Sequence, residues 1–147
     1  MVDHDLIIAK AAAVKKHIKR IAHKRGTRLE AFKNDIDRQD IVLFNLQMAI
    51  QNCVDIAAHI VGDEGFGVPD NTTELFYLLE ENGYLPREIA EKMARAVGFR
   101  NLMVHEYARI DIEQVYVFAN ENINDLNSYL VSIFKRTNIS SSTDYAD

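Results

Sequence analysis

The stretch Asp37-Arg38-Gln39-Asp40-Ile41-Val42-Leu43-Phe44-Asn45-Leu46-Gln47 begins a segment whose pattern predicts one helix ending at about Val61. Asp37, with Asp40 three residues later, suits a helix N-terminus because carboxylates accept hydrogen bonds from free backbone N–H groups. One apolar stripe recurs at helical spacing and comprises Leu43, Leu46, Ile50, Val54, Ala57 and Ile60. A second apolar set lies partly outside it and comprises Ile41, Phe44, Met48 and Cys53. A helix that is apolar over much of its circumference is buried on more than one side, so we expect the protein's own core on one side and a dimer partner on the other.

The chain before this segment predicts one long helix and one short turn. Residues 5–25 carry an apolar residue at every third or fourth position, and Gly26 suits the position just after the helix end. Thr27 followed by Glu30 is a capping-box pattern, which predicts a short new turn through Phe32.

The chain after this segment predicts three further helices. Residues 62–69 form a loop, since they hold three of the six Gly and one of the two Pro. The helix starts that follow are marked by Asn71 with Glu74, by Pro86, and by Asp111 with Gln114. Residues 1–136 are therefore predicted to form a single all-α domain, an antiparallel bundle of about five helices. Residues 137–147, rich in Ser, Thr and Asp, are expected to form a flexible tail.

The composition is that of an ordinary globular domain. The chain has 147 residues, of which 48% are apolar and 27% charged. The single cysteine, Cys53, excludes an internal disulfide and fits a reducing compartment. No apolar run approaches the roughly 20 residues of a membrane span, and the acidic N-terminus lacks the basic start of a signal peptide. We therefore expect a cytoplasmic protein without membrane contact.

The charge distribution is uneven along the chain. The net charge of −5 argues mildly against RNA binding, which depends largely on neutralising phosphates. Residues 10–29, however, hold five Lys and three Arg and no acidic residue. Two interpretations stay open for this basic run: a solvated helix face, or a stripe that guides RNA.

The clearest chemistry lies in Arg100-Asn101-Leu102-Met103-Val104-His105-Glu106-Tyr107. The planar guanidinium of Arg100 matches a phosphate, and His105 is the residue type whose pKa suits proton transfer near neutral pH. Together they suggest work on a phosphodiester. The structural alternative is an Arg that pairs with Glu106 or Glu88, beside a capping His and a packed Tyr.

The spacing of this motif limits how it can work. Five residues on a regular helix rotate by about 500°, which leaves Arg100 and His105 roughly 140° apart. Either the helix ends or loosens before His105, or the two residues act across an interface. Arg100 also lies in line with apolar residues, where it needs an anion. That anion is a carboxylate in the structural case and an RNA phosphate in the functional one.

Other chemical signatures are missing from the sequence. There is no Gly-rich phosphate loop, no zinc-spaced set of Cys and His, and no nucleophile elbow. We therefore predict no metal site and no cofactor. His59 stands alone beside the apolar stripe, and we interpret it as an ordinary packed or surface histidine.

The sequence resembles the HEPN superfamily, and within it the HepT-like toxins. The resemblance rests on residues 37–60, the Gly67-Val68-Pro69 turn before a helix with Phe76, and residues 97–101 leading into the Arg100–Tyr107 motif. It covers roughly residues 3–136. It implies an all-helical, dimeric, metal-independent endoribonuclease, usually encoded beside a small nucleotidyltransferase antitoxin.

The resemblance also implies roles for individual residues. The Arg and His of the family motif are its catalytic pair and correspond to Arg100 and His105. The Tyr to which the partner enzyme is thought to attach adenylate corresponds to Tyr107. On this interpretation a 2′-hydroxyl attacks the neighbouring phosphate, which Arg100 holds while His105 moves a proton. Asn101 is expected to orient a phosphate or a base, and Glu106 to raise the pKa of His105 or to pair with Arg100.

Two further interpretations come from other classes of protein. A non-catalytic helical module would dimerise and bind a nucleotidyltransferase or a nucleotide without cleaving RNA. A structural dimer with an acidic surface would never meet RNA. The nuclease itself needs a second proton carrier, which a second His105 across a two-fold axis would supply.

Overall fold

The computed structural model describes residues 2–140, and all regular structure in this range is helical. The helices are α1 (His4–Arg25), α2 (Leu29–Lys33), α3 (Ile36–Glu64), α4 (Thr72–Glu81), α5 (Arg87–His105), α6 (Ile112–Val117) and α7 (Ile123–Thr137). A 3-10 turn (Tyr107–Arg109) follows α5, and a π-helical turn (Phe118–Asn122) joins α6 to α7. The predicted all-α bundle of about five helices is confirmed, since α6 and α7 form one continuous helix and α2 is a single short turn. Residues 141–147 of the predicted tail lie outside the described residues.

Helix α3 is the central element, because it packs against α1, α4, α5 and α7. All six residues of its predicted apolar stripe are buried. Complete burial of a large apolar side chain favours folding by about 1.5–3 kcal/mol, so this stripe anchors the domain. The buried Tyr129 hydroxyl donates to the Cys53 carbonyl at 2.9 Å and thereby fastens α7 to the middle of α3.

Helices α1 and α5 run antiparallel to α3. On α1, Lys10 contacts Asp55 whereas His17, two turns later, contacts Asn45. On α5, Arg100 contacts Gln51, whereas Tyr107, in the 3-10 turn that follows, contacts Asp40. Residue numbers thus rise along α1 and along α5 with its following turn as they fall along α3.

The second apolar side of α3 is open in the single chain. Phe44 is 58% exposed and Ile41 and Met48 are half-buried, whereas Cys53 is fully buried by the domain itself. By length and composition α3 could cross a membrane, but 61% of its apolar window is buried inside the domain, as in the core helix of a soluble protein. The dimer partner expected on this side stays a prediction.

Three predictions about helix ends are wrong in detail. The first turn of α3 is capped by Asp35, whose side chain accepts from the Arg38 N–H at 3.0 Å, so Asp37 lies inside the helix. The capping box at Thr27 does not form, because α2 begins after Arg28 without a side-chain cap. Gly62 is helical, and α3 ends instead at Gly65 in the left-handed conformation that glycine favours.

Two other helix starts agree with the sequence. Asn71 accepts from the Glu74 N–H at 3.0 Å and caps α4. Asp111 caps α6 by accepting from the Glu113 N–H at 2.9 Å. A polar side-chain oxygen at such a position satisfies a backbone donor that the helix leaves free.

Candidate active site

Arg100 lies on the face of α5 that meets α3, and amide oxygens are its only side-chain acceptors within residues 2–140. Nη1 donates to Gln51 Oε1, and Nη2 donates to Asn101 Oδ1 at 2.8 Å. The buried Nε has no acceptor in this part of the chain. The Arg100 ion pair of the structural alternative does not form, because Glu106 pairs with Arg109 at 2.9 Å and Glu88 with Lys92 at 3.1 Å. Neither carboxylate is therefore the anionic partner expected for Arg100.

Gln51 belongs to a chain of polar contacts that sequence reasoning missed. Its Nε2 donates to Asp55 Oδ1 at 2.9 Å, and Lys10 Nζ lies 2.9 Å from Asp55 Oδ2. The signal was present in the sequence, because Gln51 and Asp55 stand four residues apart on a helix that is otherwise largely apolar.

His105 is the last residue of α5 and is exposed to solvent. The helix is regular through both Arg100 and His105, which excludes the first of the two alternatives, that it ends or loosens before His105. Arg100 faces α3, and His105 points away from that face by the rotation that five helical residues impose. Within the described residues His105 makes no side-chain hydrogen bond or ion pair. One chain alone therefore does not bring the two side chains together.

Tyr107 begins the 3-10 turn after α5 and is 60% exposed. Its hydroxyl donates to Asp40 Oδ1 at 3.0 Å, and this hydrogen bond, with some desolvation, raises the pKa of Tyr107. The two side chains border an open cleft of about 180 Å³ between α3 and α5. The cleft is lined by Asp40, Leu43, Phe44, Gln47, Met103 and Tyr107. An exposed phenol in a cleft is accessible to an enzyme that would modify it.

The basic run of α1 is partly structural. Lys10 pairs with Asp55, Lys15 Nζ donates to Asn127 Oδ1 at 3.4 Å, and Arg25 Nη1 donates to the Ala119 carbonyl at 2.8 Å. Other cations of the run, such as Lys16, Lys19 and Arg20, are exposed. Some cations of the run therefore have structural partners, and others are free to face solvent or RNA. An RNA-guiding stripe stays a prediction.

His59 has a structural partner. Its Nε2 accepts from the backbone N–H of Asp3 at 2.9 Å, just before the start of α1. The bond holds the N-terminus of α1 against α3, which accords with the packed or surface histidine expected from the sequence.

Comparisons with known proteins show similarity to one family over most of the chain. The profile of the family described as "Ribonuclease HepT-like" matches residues 14–133. The mRNA nuclease HepT of Shewanella oneidensis is 32% identical over 127 residues, which are 86% of this chain and 95% of that protein. The tRNA nuclease HepT of Aphanizomenon flos-aquae is 31% identical over 112 residues, which are 71% of this chain and 76% of that protein.

A solved structure extends the likeness to three dimensions. It is described as the tri-AMPylated Shewanella oneidensis HEPN toxin in complex with MNT antitoxin. It superposes with a TM-score of 0.84 at 32% identity, and the match covers 90% of this chain and 99% of that one.

The fold and the motif at the end of α5 define a HEPN-type helical domain. Within that class, the chain belongs to the HepT-like ribonuclease family. The resemblance and the endoribonuclease class predicted from the sequence are thereby confirmed. The roles of single residues stay predictions.

Proposed function

We propose that this protein is a toxin-type, metal-independent endoribonuclease that acts without a cofactor, and that a nucleotidyltransferase antitoxin neutralises it by adenylylating Tyr107. The observation that carries the catalytic part is the state of Arg100. Its guanidinium is held by amide oxygens and is not paired with a carboxylate of the described residues. A cation held in this way keeps its charge for a substrate phosphate.

The proposed reaction uses groups already present in RNA. The 2′-oxygen attacks the adjacent phosphorus, the bond from phosphorus to the 5′-oxygen breaks, and the products are a 2′,3′-cyclic phosphate and a 5′-hydroxyl. His105 takes the proton from the 2′-hydroxyl or gives one to the leaving 5′-oxygen. Arg100 holds the phosphate while negative charge builds on its oxygens. The 2′-hydroxyl is absent from DNA, which accounts for the choice of RNA.

A homodimer would complete this site. Arg100 and His105 diverge on one helix, so a cleft that contains both is best built from two copies related by a two-fold axis. The open side of α3 and the end of α5 supply an apolar surface for it, since Phe44 is 58% and Val104 is 45% exposed. We propose that the dimer forms through this surface and that each half contributes a His105.

Asn101 and Glu106 take supporting roles in this proposal. Asn101 Oδ1 accepts from Arg100, which leaves its Nδ2 group to donate to RNA. Glu106 is engaged by Arg109 and holds the turn that follows His105. The Glu106 carboxylate therefore does not pair with Arg100.

Modification of Tyr107 explains neutralisation by charge and volume. Transfer of adenylate from ATP to the phenol oxygen would release pyrophosphate and the phenolic proton, and it would bring a phosphate and a nucleoside into the cleft beside Asp40. The added anion would repel RNA and could occupy Arg100 of the dimer cleft. The related HEPN toxin described as tri-AMPylated in complex with MNT antitoxin supports this partner class.

The names of two relatives suggest which class of RNA this protein would cut. Relatives are named as an mRNA nuclease and as a tRNA nuclease, so we propose a cytoplasmic cellular RNA cut in a single-stranded region, where the backbone bends freely for in-line attack.

The decisive experiment incubates purified protein with labelled RNA in excess chelator. We expect the wild type to cut and to leave 2′,3′-cyclic phosphate ends, and His105→Ala and Arg100→Ala to lose at least about 100-fold in rate. His4→Ala and Arg95→Ala are matched controls, since both residues are exposed and lie outside the proposed site. Equal cleavage by His105→Ala and wild type would contradict the proposed roles.

The non-catalytic module remains the second candidate, because one chain alone separates Arg100 from His105. It predicts that protein shown by intact mass to carry no adenylate cuts no RNA at any concentration at which it dimerises. That result would replace the nuclease with a binding module for a nucleotidyltransferase or a nucleotide.

A further inference from the structure

We propose that Gln51 is the positioning residue of Arg100, and that Asp55 and Lys10 fix the orientation of the Gln51 amide. The contacts run from α1 through α3 to α5. Lys10 Nζ lies 2.9 Å from Asp55 Oδ2, Gln51 Nε2 donates to Asp55 Oδ1 at 2.9 Å, and Arg100 Nη1 donates to Gln51 Oε1. The catalytic consequence of the proposal rests on the proposed nuclease function, whereas the positioning itself does not.

The orientation of the Gln51 amide follows from the chemistry of its two neighbours. The ionised Asp55 carboxylate can only accept hydrogen bonds, and the Arg100 guanidinium can only donate them. The amide has one accepting and one donating end, so a single orientation satisfies both. A flipped amide would turn its oxygen toward the carboxylate and its NH2 toward the guanidinium. Asp55 is therefore the group that directs the Gln51 oxygen to Arg100.

The charged groups in this series of contacts, from Lys10 to Arg100, leave one positive charge uncompensated. Lys10 compensates Asp55, and both acceptors of Arg100 (Gln51 and Asn101) are neutral amides. A carboxylate at position 51 would hold the guanidinium at least as firmly but would cancel its charge. The amide holds the side chain and leaves the charge available for a phosphate.

This arrangement also orders Arg100 before any substrate binds. A free arginine side chain loses considerable conformational entropy when it is fixed in one geometry. In this fold the loss occurs on folding, because Gln51, Asn101 and burial of Nε already restrict the side chain. A phosphate then meets a preorganised donor, the condition under which electrostatic stabilisation of a transition state is largest.

Two substitutions of Gln51 distinguish its effect on the position of Arg100 from its effect on the charge of Arg100. Gln51→Glu keeps the length of the side chain and the contact with Arg100, but it cancels the charge of Arg100 and loses the donation to Asp55. Gln51→Met keeps the length and the helix propensity but removes the acceptor, so Arg100 stays charged and becomes mobile. Gln114→Glu is the matched control, because it makes the same change in net charge at an exposed position of α6. Circular dichroism of each variant establishes that the helices are retained.

The first readout is the salt dependence of RNA binding, measured on the His105→Ala background so that no RNA is cut. The slope of log affinity against log salt reflects the number of phosphates neutralised, with about 0.7 per phosphate for single strands. We expect Gln51→Glu to make the slope less steep by about 0.7, as Arg100→Ala does. Gln114→Glu and Gln51→Met are expected to keep the slope of the parent.

The second readout is cleavage at saturating RNA, with His105 intact. Gln51→Met and Gln51→Glu are each expected to lower the rate on the order of 10-fold to 100-fold, because they loosen or neutralise a transition-state donor. Arg100→Ala combined with Gln51→Met should be no slower than Arg100→Ala alone, since Gln51 acts through Arg100. A further loss in the double variant would overturn the proposal.

The third readout needs no RNA. Rotation about the Cζ–Nε bond of Arg100, followed by nitrogen-15 NMR, is expected to be slow in the wild type and fast in Gln51→Met. Unchanged rotation in Gln51→Met, or wild-type slope and rate in Gln51→Glu, would overturn the positioning role. Failure of the nuclease function looks different: the wild type would cut no RNA while the NMR result still held.

Discussion

Tyr107 donates a hydrogen bond to Asp40 across the cleft between α5 and α3, with 3.0 Å between the two oxygen atoms. The bond connects the proposed site of modification to the first turns of the central helix. A carboxylate that accepts from a phenol stabilises the protonated phenol, and it would repel the phenolate. This contact is the largest cause of the raised pKa of Tyr107, and desolvation adds to it.

Replacing Asp40 should lower the pKa of Tyr107. In Asp40→Asn the acceptor carries no charge, so we expect the pKa to fall toward the ordinary value of 10.0. The measurement is an ultraviolet titration of phenolate absorbance, in which the signal of Tyr107 is isolated by subtracting the titration of Tyr107→Phe. Asp37→Asn serves as the control, because Asp37 is an exposed carboxylate in the same turn of α3.

The same contact predicts a direction for stability at high pH. The folded-state pKa of Tyr107 is raised above its unfolded value, so the unfolded chain loses this proton first as pH increases. The contribution to stability is fully present below about pH 10 and is lost as pH rises through the folded pKa. Tyr107→Phe should show a smaller loss of stability than the wild type over this range in urea denaturation. An identical pH dependence in both proteins would rule the contact out as a contributor.

The hydrogen bond from Tyr129 to the Cys53 carbonyl should contribute measurably to stability. Both groups are fully buried, so Tyr129→Phe removes a bond that water does not replace. We expect a loss of about 1 kcal/mol in the free energy of unfolding, measured by urea denaturation. Tyr116→Phe is the control, because Tyr116 is half-buried and its hydroxyl makes no hydrogen bond to the described residues. A loss as large in the control would show that the effect does not come from the hydrogen bond to Cys53.

Cys53 should react with thiol reagents only when the domain opens. It is fully buried, and burial, with a smaller effect of Asp55, raises the pKa of its thiol far above the ordinary value. Since the thiolate is the reactive form and needs access to the reagent, the labelling rate should follow the population of opened molecules. A loss of about 1 kcal/mol in Tyr129→Phe should speed labelling about 5-fold. Rapid labelling of the folded wild type would contradict this account.

The sequence was sufficient for the architecture because apolar spacing determines which helix faces are buried. The stripe of α3 from Leu43 to Ile60 is buried as predicted, and Asn71 caps α4 as predicted. The starts of α2 and α3 were misassigned because several residues in a row can cap a helix. Asp35 and Asp37 are equally good caps by residue type, and the tertiary position of the chain decides between them.

The candidate site could be predicted only in part. The motif from Arg100 to Tyr107 is local, so its residues were visible in the sequence. Gln51 and Asp40 reach it from another helix, 49 and 67 residues away from their partners in the chain. Local spacing carries no information about which residue of α3 comes opposite which residue of α5, because packing of the whole bundle sets that register.

The exposed apolar surface of α3 at Phe44 should be needed for assembly of the protein. Phe44 is 58% exposed and lines the cleft with Tyr107, so in a single chain it presents a large apolar ring to water. We expect Phe44→Glu to dissociate the proposed dimer, because association would then bury an unpaired carboxylate. Sedimentation velocity over a range of concentrations measures this, and RNA cleavage should fall together with the dimer fraction.

A matched variant keeps this prediction specific to the proposed interface. Val68 is 92% exposed in the loop between α3 and α4, away from the cleft, so Val68→Glu adds the same charge at another apolar position. It should leave both the dimer and the cleavage rate unchanged. Since Phe44 is exposed, its replacement should alter the free energy of unfolding of the monomer by less than about 0.5 kcal/mol. A stable Phe44→Glu dimer that still cuts RNA would place the interface elsewhere and would leave the divergence of Arg100 and His105 to be resolved by another surface.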